Sequence, residues 1–279
     1  MTAPANQPPR LPISVIVPAY NAAATLSRAL DSIYAQTCLP TEIILVDDAS
    51  PDNTWDVIQA FCIRNGDPPI KSLRLNRNGG PAAARNAGWE IASQDFLAFL
   101  DADDAWHPRK LELQYRWLVE HSEVMLCGHR CIVAANELPV PEAPDVVPVR
   151  FYGLSSFFVG NRLSTPSVML RRQLKERFTP GKRYSEDYLL WVQIVAHHGP
   201  AAFIDLPLAF LFKPRYGAAG LSADLWRMYR GELDSYARLR RSGILGPLQW
   251  LAVVAWSWAK FALRAGGHLF SKTVAPVAE

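Results

Sequence analysis

Over the first hundred positions, short apolar runs that stop at polar or acidic residues alternate with stretches of helical spacing. Ile13-Ser14-Val15-Ile16-Val17-Pro18 is β-branched, apolar and stopped by proline, which predicts a buried strand. From Asn21 a helix follows, with Leu26, Leu30, Ile33 and Tyr34 at helical spacing. Glu42 to Val46 is a second strand, cut off by Asp47-Asp48. Thr54 to Phe61 is helical and Ile70 to Leu75 a third strand. After the turn Asn78-Gly79-Gly80-Pro81, Ala82 to Ile91 is helical and Phe96 to Leu100 is a fourth strand. Strand–helix alternation of this kind argues for an α/β domain whose mainly parallel sheet is covered on both faces.

Beyond Ala105 the rhythm changes. The pattern predicts a helix from Pro108 to His121, a strand from Met125 to Ala135, and a proline-rich connector through Pro148. A short strand at Val168-Met169-Leu170 and a helix from Ser185 to His198 follow, the helix capped by Ser185 and stopped by Gly199-Pro200.

Composition narrows the class. With 279 residues, 49% hydrophobic and 20% charged, the chain is neither disordered nor a polytopic membrane protein. A net charge of +3 gives no reason to expect nucleic acid. The charge is uneven: residues 210–279 hold 10 of the 29 basic side chains and 4 of the 26 acidic ones. Four cysteines make no disulfide framework, and Cys127, His129 and Cys131 lack the second ligand pair of a closed zinc site. The Pro-rich stretch Met1 to Pro12 has no apolar run of a secretion signal, so the expectation is a frayed tail on a cytoplasmic protein.

In open α/β sheets, ligands bind where the strands end at their carboxyl side. Three strands here end in Pro18-Ala19-Tyr20-Asn21, in Asp47-Asp48 and in Asp101-Ala102-Asp103-Asp104. Polar and acidic residues thus converge on one sheet edge, where their repulsion calls for a cation or a ligand. The first strand is followed by no glycines and the chain has no Gly-x4-Gly-Lys-Ser/Thr loop, which removes dinucleotide and P-loop sites. Asp101 and Asp103, one residue apart, offer hard oxygens to a single divalent ion, and such ligands favour Mg²⁺ or Mn²⁺ with positions left open for phosphate oxygens. Paired carboxylates also serve glycoside hydrolysis, but that reaction needs neither nucleotide nor metal. By residue type alone, Glu186-Asp187 does no more than cap a helix.

The order of these segments resembles the family 2 glycosyltransferases. Ile13 to Asn21, Val46-Asp47-Asp48-Ala49-Ser50, Gly80-Pro81-Ala82-Ala83-Ala84-Arg85-Asn86-Ala87-Gly88 and Phe99-Leu100-Asp101-Ala102-Asp103-Asp104 carry the likeness, which covers about 11–215. The resemblance implies a GT-A (nucleotide-diphospho-sugar transferase) fold with a mixed, mainly parallel central sheet and a helical C-terminal extension. It also implies an inverting transfer from a nucleotide sugar, UDP-linked by preference, to a saccharide or lipid-linked saccharide in building surface or exported polysaccharide. Pro18, Ala19, Tyr20, Asn21, Asp47, Asp48, Arg85, Asn86, Asp101 and Ala102 would then bind the nucleotide sugar. Tyr20 would stack on the base, Asp48 would hydrogen-bond it, and Arg85 and Asn86 would meet phosphates at a helix N-terminus. Asp101 and Asp103 would hold Mg²⁺ or Mn²⁺, and Asp187 would take the acceptor's proton. Glu186, Trp191 and Thr165 would border the acceptor and donor pocket. Leu189 and Gln193 depart from the family pattern, which places an acid and an Arg there. The non-enzymatic alternative is a nucleotide-sugar-binding scaffold of the same fold that has lost its base.

The expected layout is a tail over 1–10, a catalytic domain over 11–215 and a helical extension over 216–279. Nucleotide-binding and acceptor halves meet near 105. Within the extension, Ile244 to Ala259 carries no charge and contains Trp250, Trp256 and Trp258, just after Arg238, Arg240 and Arg241. Tryptophan flanked by cations suits a helix lying in a membrane interface. The expected placement is therefore peripheral, on the cytoplasmic face of the inner membrane, where an acceptor carried on polyprenyl diphosphate would be met.

Overall fold

The computed structural model describes residues 8–134, 142–212 and 224–273, with side chains as far as residue 263. The expected tail lies mostly outside the described residues. Nine strands form one sheet: β1 (Arg10–Ala19), β2 (Leu39–Asp47), β3 (Ile70–Arg74), β4 (Phe96–Phe99), β5 (Ala105–Trp106), β6 (Leu126–Val133), β7 (Val149–Tyr152), β8 (Met169–Arg171) and β9 (Ala201–Leu211). Their order is β3-β2-β1-β4-β8-β6-β9-β5, with β7 paired to β9. From β3 to β4 all pairs are parallel; β8 runs antiparallel to both β4 and β6. The helices are α1 (Leu26–Tyr34), α2 (Thr54–Arg64), α3 (Pro81–Ile91), α4 (Lys110–Glu120), α5 (Leu154–Val159), α6 (Glu186–His198), α7 (Leu225–Arg241) and α8 (Pro247–Thr273).

Alternation along the strands divides the interior into two cores. Ile13, Val15 and Val17 of β1, with Ile43 and Leu45 of β2, face Leu26, Leu30 and Ile33 of α1 and Ile58 and Phe61 of α2. Ile16, Ile44, Val46, Leu97 and Phe99 face the other way, onto α3, α6 and the α7–α8 hairpin. A strand with a period of two and both faces covered must be apolar almost throughout, which is why these runs are continuous. Helix α6 is buried along most of its length, with Leu189, Trp191 and Val192 wholly enclosed.

Close approach of α3 to the sheet depends on Gly88. A Cβ there would lie 2.6 Å from Cγ2 of Ile16, itself fully buried. Gly88→Ala is expected to lower stability by about 1–3 kcal/mol through overpacking, read as a reduced urea midpoint at unchanged slope.

Three sequence expectations are corrected here. Strands β5, β7 and β9 were not foreseen: β5 has two residues, and β9 carries Pro207 within a ladder whose register shifts beside Arg130. Helix α5 was likewise unanticipated, whereas α7 and α8 fall within the expected helical extension. Ser185 stands at the start of α6 but makes no capping bond with its side chain; its backbone is left-handed, φ 54°.

Candidate active site

The carboxyl ends of β1, β2 and β4 open into a cleft of about 660 Å³. Each strand delivers its polar residue by ending there. β1 runs out into Pro18-Ala19-Tyr20-Asn21, all lining the cleft, with the Tyr20 ring 52% exposed and so available for stacking. At the end of β2 the Asp48 side chain accepts bonds from the backbone N–H groups of Gly79 and Gly80, both at 2.7 Å. Asn78 completes the clasp by donating to the Asp48 carbonyl. Burial pushes the Asp48 carboxyl above its ordinary range, against those two N–H bonds. The backbone is strained around these turns. Among the described residues, Asn21, Ala49 and Ser185 are the non-glycine residues with positive φ, and each adjoins or lines the cleft.

Beyond β4, Asp101, Ala102, Asp103 and Asp104 line the same cleft. The loop is fixed from outside: Arg28 donates to the Asp103 carbonyl at 2.6 Å, and the Asp104 N–H closes a turn onto the Asp101 carbonyl. Burial, with repulsion from Asp101 and Asp103, drives the Asp104 carboxyl up to about 9. Three acids thus crowd one loop, with Arg28 offsetting part of the repulsion on Asp104. No group of three His, Cys, Asp or Glu side chains among the described residues forms a metal cage. Asp101 and Asp103, both lining the cleft, nonetheless suit an ion such as Mg²⁺, which takes one or two carboxylates and completes its shell with substrate phosphates and water. The residues present fit such an ion.

The opposite wall comes from the later part of the chain. At the N-terminus of α6, Glu186 and Asp187 face the cleft. Asp187 accepts from the N–H of Tyr188 at 2.7 Å, from the side-chain amide of Asn161 at 2.9 Å, and from the Thr165 hydroxyl at 3.5 Å. Burial raises its pKa; the Tyr188 N–H, Arg85 and Asn161 pull the other way. Trp106, just past the acids, donates from its indole to the Pro166 carbonyl at 2.8 Å and so ties the two walls together.

Arg85 joins them a second time. Its guanidinium lies between Asp101 at 2.7 Å and Glu186 at 2.9 Å, with only 6% of the side chain exposed. Burial works against its charge, but Asp101 and Glu186, with Asp187 beyond, outweigh it and hold the proton more firmly than in water. Glu186 is raised by burial to about 7, with Arg85 opposing.

Twelve of the residues expected from sequence therefore meet in one cleft: Pro18, Ala19, Tyr20, Asn21, Asp48, Arg85, Asp101, Ala102, Asp103, Thr165, Glu186 and Asp187. Three do not line it. Asp47 is fully buried, accepting from the Ser50 N–H at 3.0 Å and paired with Arg74. Asn86 spends its amide on the Phe178 backbone, donating to the carbonyl and accepting from the N–H. Trp191 packs between Phe99 and Phe178 in the core and does not line this cleft. Arg85 lines the cleft but is clasped by carboxylates rather than held out to phosphates. Sequence reasoning missed Asn161, Ser164 and Arg183, which stand in stretches without periodicity. It noted Asn78-Gly79-Gly80 only as a turn.

Comparison with known proteins agrees with this geometry. The model for glycosyl transferase family 2 matches residues 14–177, more than half of the chain. The Escherichia coli protein UDP-Glc:alpha-D-GlcNAc-diphosphoundecaprenol beta-1,3-glucosyltransferase WfgD is 31% identical over 190 residues, covering 68% of this chain and 72% of its own. S. aureus TarS in complex with UDP-GlcNAc superposes with a TM-score of 0.67 at 21% identity, over 87% of this chain and 70% of that one. The mannosyltransferase PcManGT from Pyrobaculum calidifontis, in complex with GDP-Man and Mn²⁺, does so with a TM-score of 0.64 at 19% identity, over 95% and 76%. The two structures share the GT-A fold with this chain. With its sheet, its strand-end acids and its matched segments all in the family's order, the chain belongs to glycosyl transferase family 2.

Proposed function

We propose that this glycosyltransferase moves a sugar from a UDP-linked donor to a hydroxyl of a saccharide carried on polyprenyl diphosphate, inverting the anomeric centre, in the assembly of surface or exported polysaccharide. The observation that carries the reading is the single cleft in which the ends of β1 and β2, the pair Asp101 and Asp103, and Asp187 face one another. The donor and acceptor classes follow the UDP-GlcNAc bound by TarS and the diphosphoundecaprenol acceptor named for the Escherichia coli relative. Work at a membrane surface follows from such an acceptor; no helix among the described residues is long and apolar enough to cross a bilayer.

Tyr20 stacks against the base and Asp48 accepts a hydrogen bond from it, its second role beside holding the Gly79–Gly80 turn. Asp101 and Asp103 would hold Mg²⁺ or Mn²⁺. When bound, the ion offsets the negative charge that gathers on the leaving diphosphate. Asp187 accepts the proton of the acceptor hydroxyl as that oxygen bonds to the anomeric carbon, while the bond from that carbon to the diphosphate oxygen breaks and its electron pair leaves with UDP. Asn161 and the N-terminus of α6 orient the carboxylate, and burial raises its basicity. Glu186 holds Arg85, which stands between the two acidic walls.

A panel of nucleotide sugars, assayed for release of the nucleoside diphosphate, tests the reading. UDP release that needs Mg²⁺ or Mn²⁺ and falls by ~100-fold or more in Asp103→Asn is expected. Release indifferent to chelator and to that substitution would overturn the metal assignment.

A further inference from the structure

Helix α8 lies against the rest of the molecule along one side only. Val253 and Ser257 are buried, Trp250, Val254 and Phe261 are partly covered, and Lys260 pairs with Glu232 at 2.6 Å. The other side holds Leu248 (81% exposed), Leu251 (56%), Trp256 (47%), Trp258 (63%) and Leu263 (77%). Ala252, Ala255 and Ala262 are exposed between them. At 100° per residue these eight positions form one continuous arc with no polar side chain in it, with Trp258 at one rim and Trp256 at the other. Polar caps, ion pairs and charged flanks normally break up a solvated helix face; this one has none over four turns.

The charges on the two helices are mainly positive. From Leu225 to Leu263 there are six basic side chains, Arg227, Arg230, Arg238, Arg240, Arg241 and Lys260, against two acids, Glu232 and Asp234. Both acids are engaged, Glu232 with Lys260 and Asp234 with Lys182 and Arg238. Arg240 and Arg241 stand exposed at the end of α7, in the turn that leads to Leu248. A charge-free apolar arc edged by indoles, with exposed guanidinium groups at the end of the preceding helix, matches an interface of acyl chains beneath anionic headgroups.

The arc is also tied to the cleft. The indole of Trp256 donates to the carbonyl of Val159, the last residue of α5, at 3.0 Å. Two residues on, Asn161 donates to Asp187. Helix α2, by contrast, lies on the opposite face of the sheet, where Ile63 is 87% exposed and isolated.

We infer that the outer face of α8 docks on a bilayer containing anionic lipid, and that this docking holds the Asn161 end of the cleft at the membrane surface. The docking itself stands on α8 alone; its use in delivering an acceptor rests on the lipid-linked acceptor proposed above. It would present Asp187 to a saccharide whose polyprenyl chain stays in the membrane, so the helix serves as a platform for the acceptor side.

The test is cosedimentation of the full chain with phosphatidylcholine–phosphatidylglycerol vesicles and with phosphatidylcholine vesicles. Binding to the mixed vesicles, weakened by salt, is expected. The double variant Leu251→Glu/Trp258→Glu should lose ~100-fold or more in partitioning, about tenfold or more for each buried side chain withdrawn. Ile63→Glu, on the far face, should leave it unchanged. Hydrogen exchange of the vesicle-bound protein should slow over 154–163 and 247–263 and not over 54–64. No binding to either vesicle, equal loss in Ile63→Glu, or protection over α2 would overturn the inference. So would a dimer in sedimentation velocity that Leu251→Glu/Trp258→Glu dissociates, since a second copy would then own the face. Metal-dependent UDP release with a water-soluble acceptor should be equal in wild type and double variant. Its absence in both would count against the proposed reaction and leave the docking result standing.

Discussion

Asp187→Asn is expected to lower kcat for sugar transfer by ~10²–10⁴-fold, the usual worth of a positioned general base, with UDP affinity unchanged. The asparagine keeps the shape and still accepts from the Tyr188 N–H, so helix α6 loses none of its start. What it lacks is the ability to receive a proton from the acceptor hydroxyl. The pH dependence follows from the same environment. Burial raises the Asp187 pKa above its ordinary value, and only the ionised form is a base. Transfer should therefore fall as pH drops through that raised pKa, above the ~3.9 of a solvated aspartate. Asn161→Leu removes a bond to the ionised carboxylate and should move this acid limb to higher pH. Steady-state kinetics across pH with saturating donor measure both effects. Transfer by Asp187→Asn at near wild-type rate would show that the base lies elsewhere.

The second large effect concerns stability. Arg85→Met should cost about 3–5 kcal/mol, because it leaves Glu186 buried without its cation and Asp101 without its nearest one. The larger share belongs to Glu186, whose side chain is 9% exposed; Asp101, at 30%, is partly screened by water. Arg85→Lys should recover little, since one ammonium cannot reproduce a planar fork that meets the two acids through separate nitrogens. Adding Glu186→Gln to Arg85→Met should restore part of the loss, a coupling that a double-mutant cycle in urea measures directly. A loss below ~1 kcal/mol for Arg85→Met would mean that water reaches the pair and screens it.

Much of the first hundred residues was legible because the strands there are buried on both sides and end in acids. Continuous runs such as Ile13 to Val17 leave no alternative to a covered strand, and β1, β2 and β4 bring their terminal residues to one edge. The finer assignment was not legible. Asp47 and Asp48 are adjacent, and the side-chain alternation of a strand sends one inward to Arg74 and the other into the cleft. Only the register decides which. Asn86 and Trp191 failed for a related reason: each sits one helical turn or less from a cleft residue, yet its side chain is directed into packing. Asn161 gave no signal because its role depends on where a loop without periodicity is set down by α5 and the turn at Thr165–Ser167. Strand β5 was too short to register, and β9 was masked by Pro207 and its irregular ladder.

That short strand has a temporal consequence. Ala105 and Trp106 pair only with Phe210 and Ala209 of β9, about a hundred residues later in the chain. While the polypeptide is being synthesised, β1 to β4 can close on α1, α2 and α3 through contacts near in sequence, which form early. The loop from Asp101 to Asp104 is then held by α1, through Arg28 on the Asp103 carbonyl and through the Ser32 hydroxyl, which accepts from the Trp106 N–H at 3.1 Å. The strand pairing beside it comes only once β9 has emerged, so a nascent or truncated chain ending before residue 201 would hold its acids through α1 while Ala105 and Trp106 still lacked a ladder.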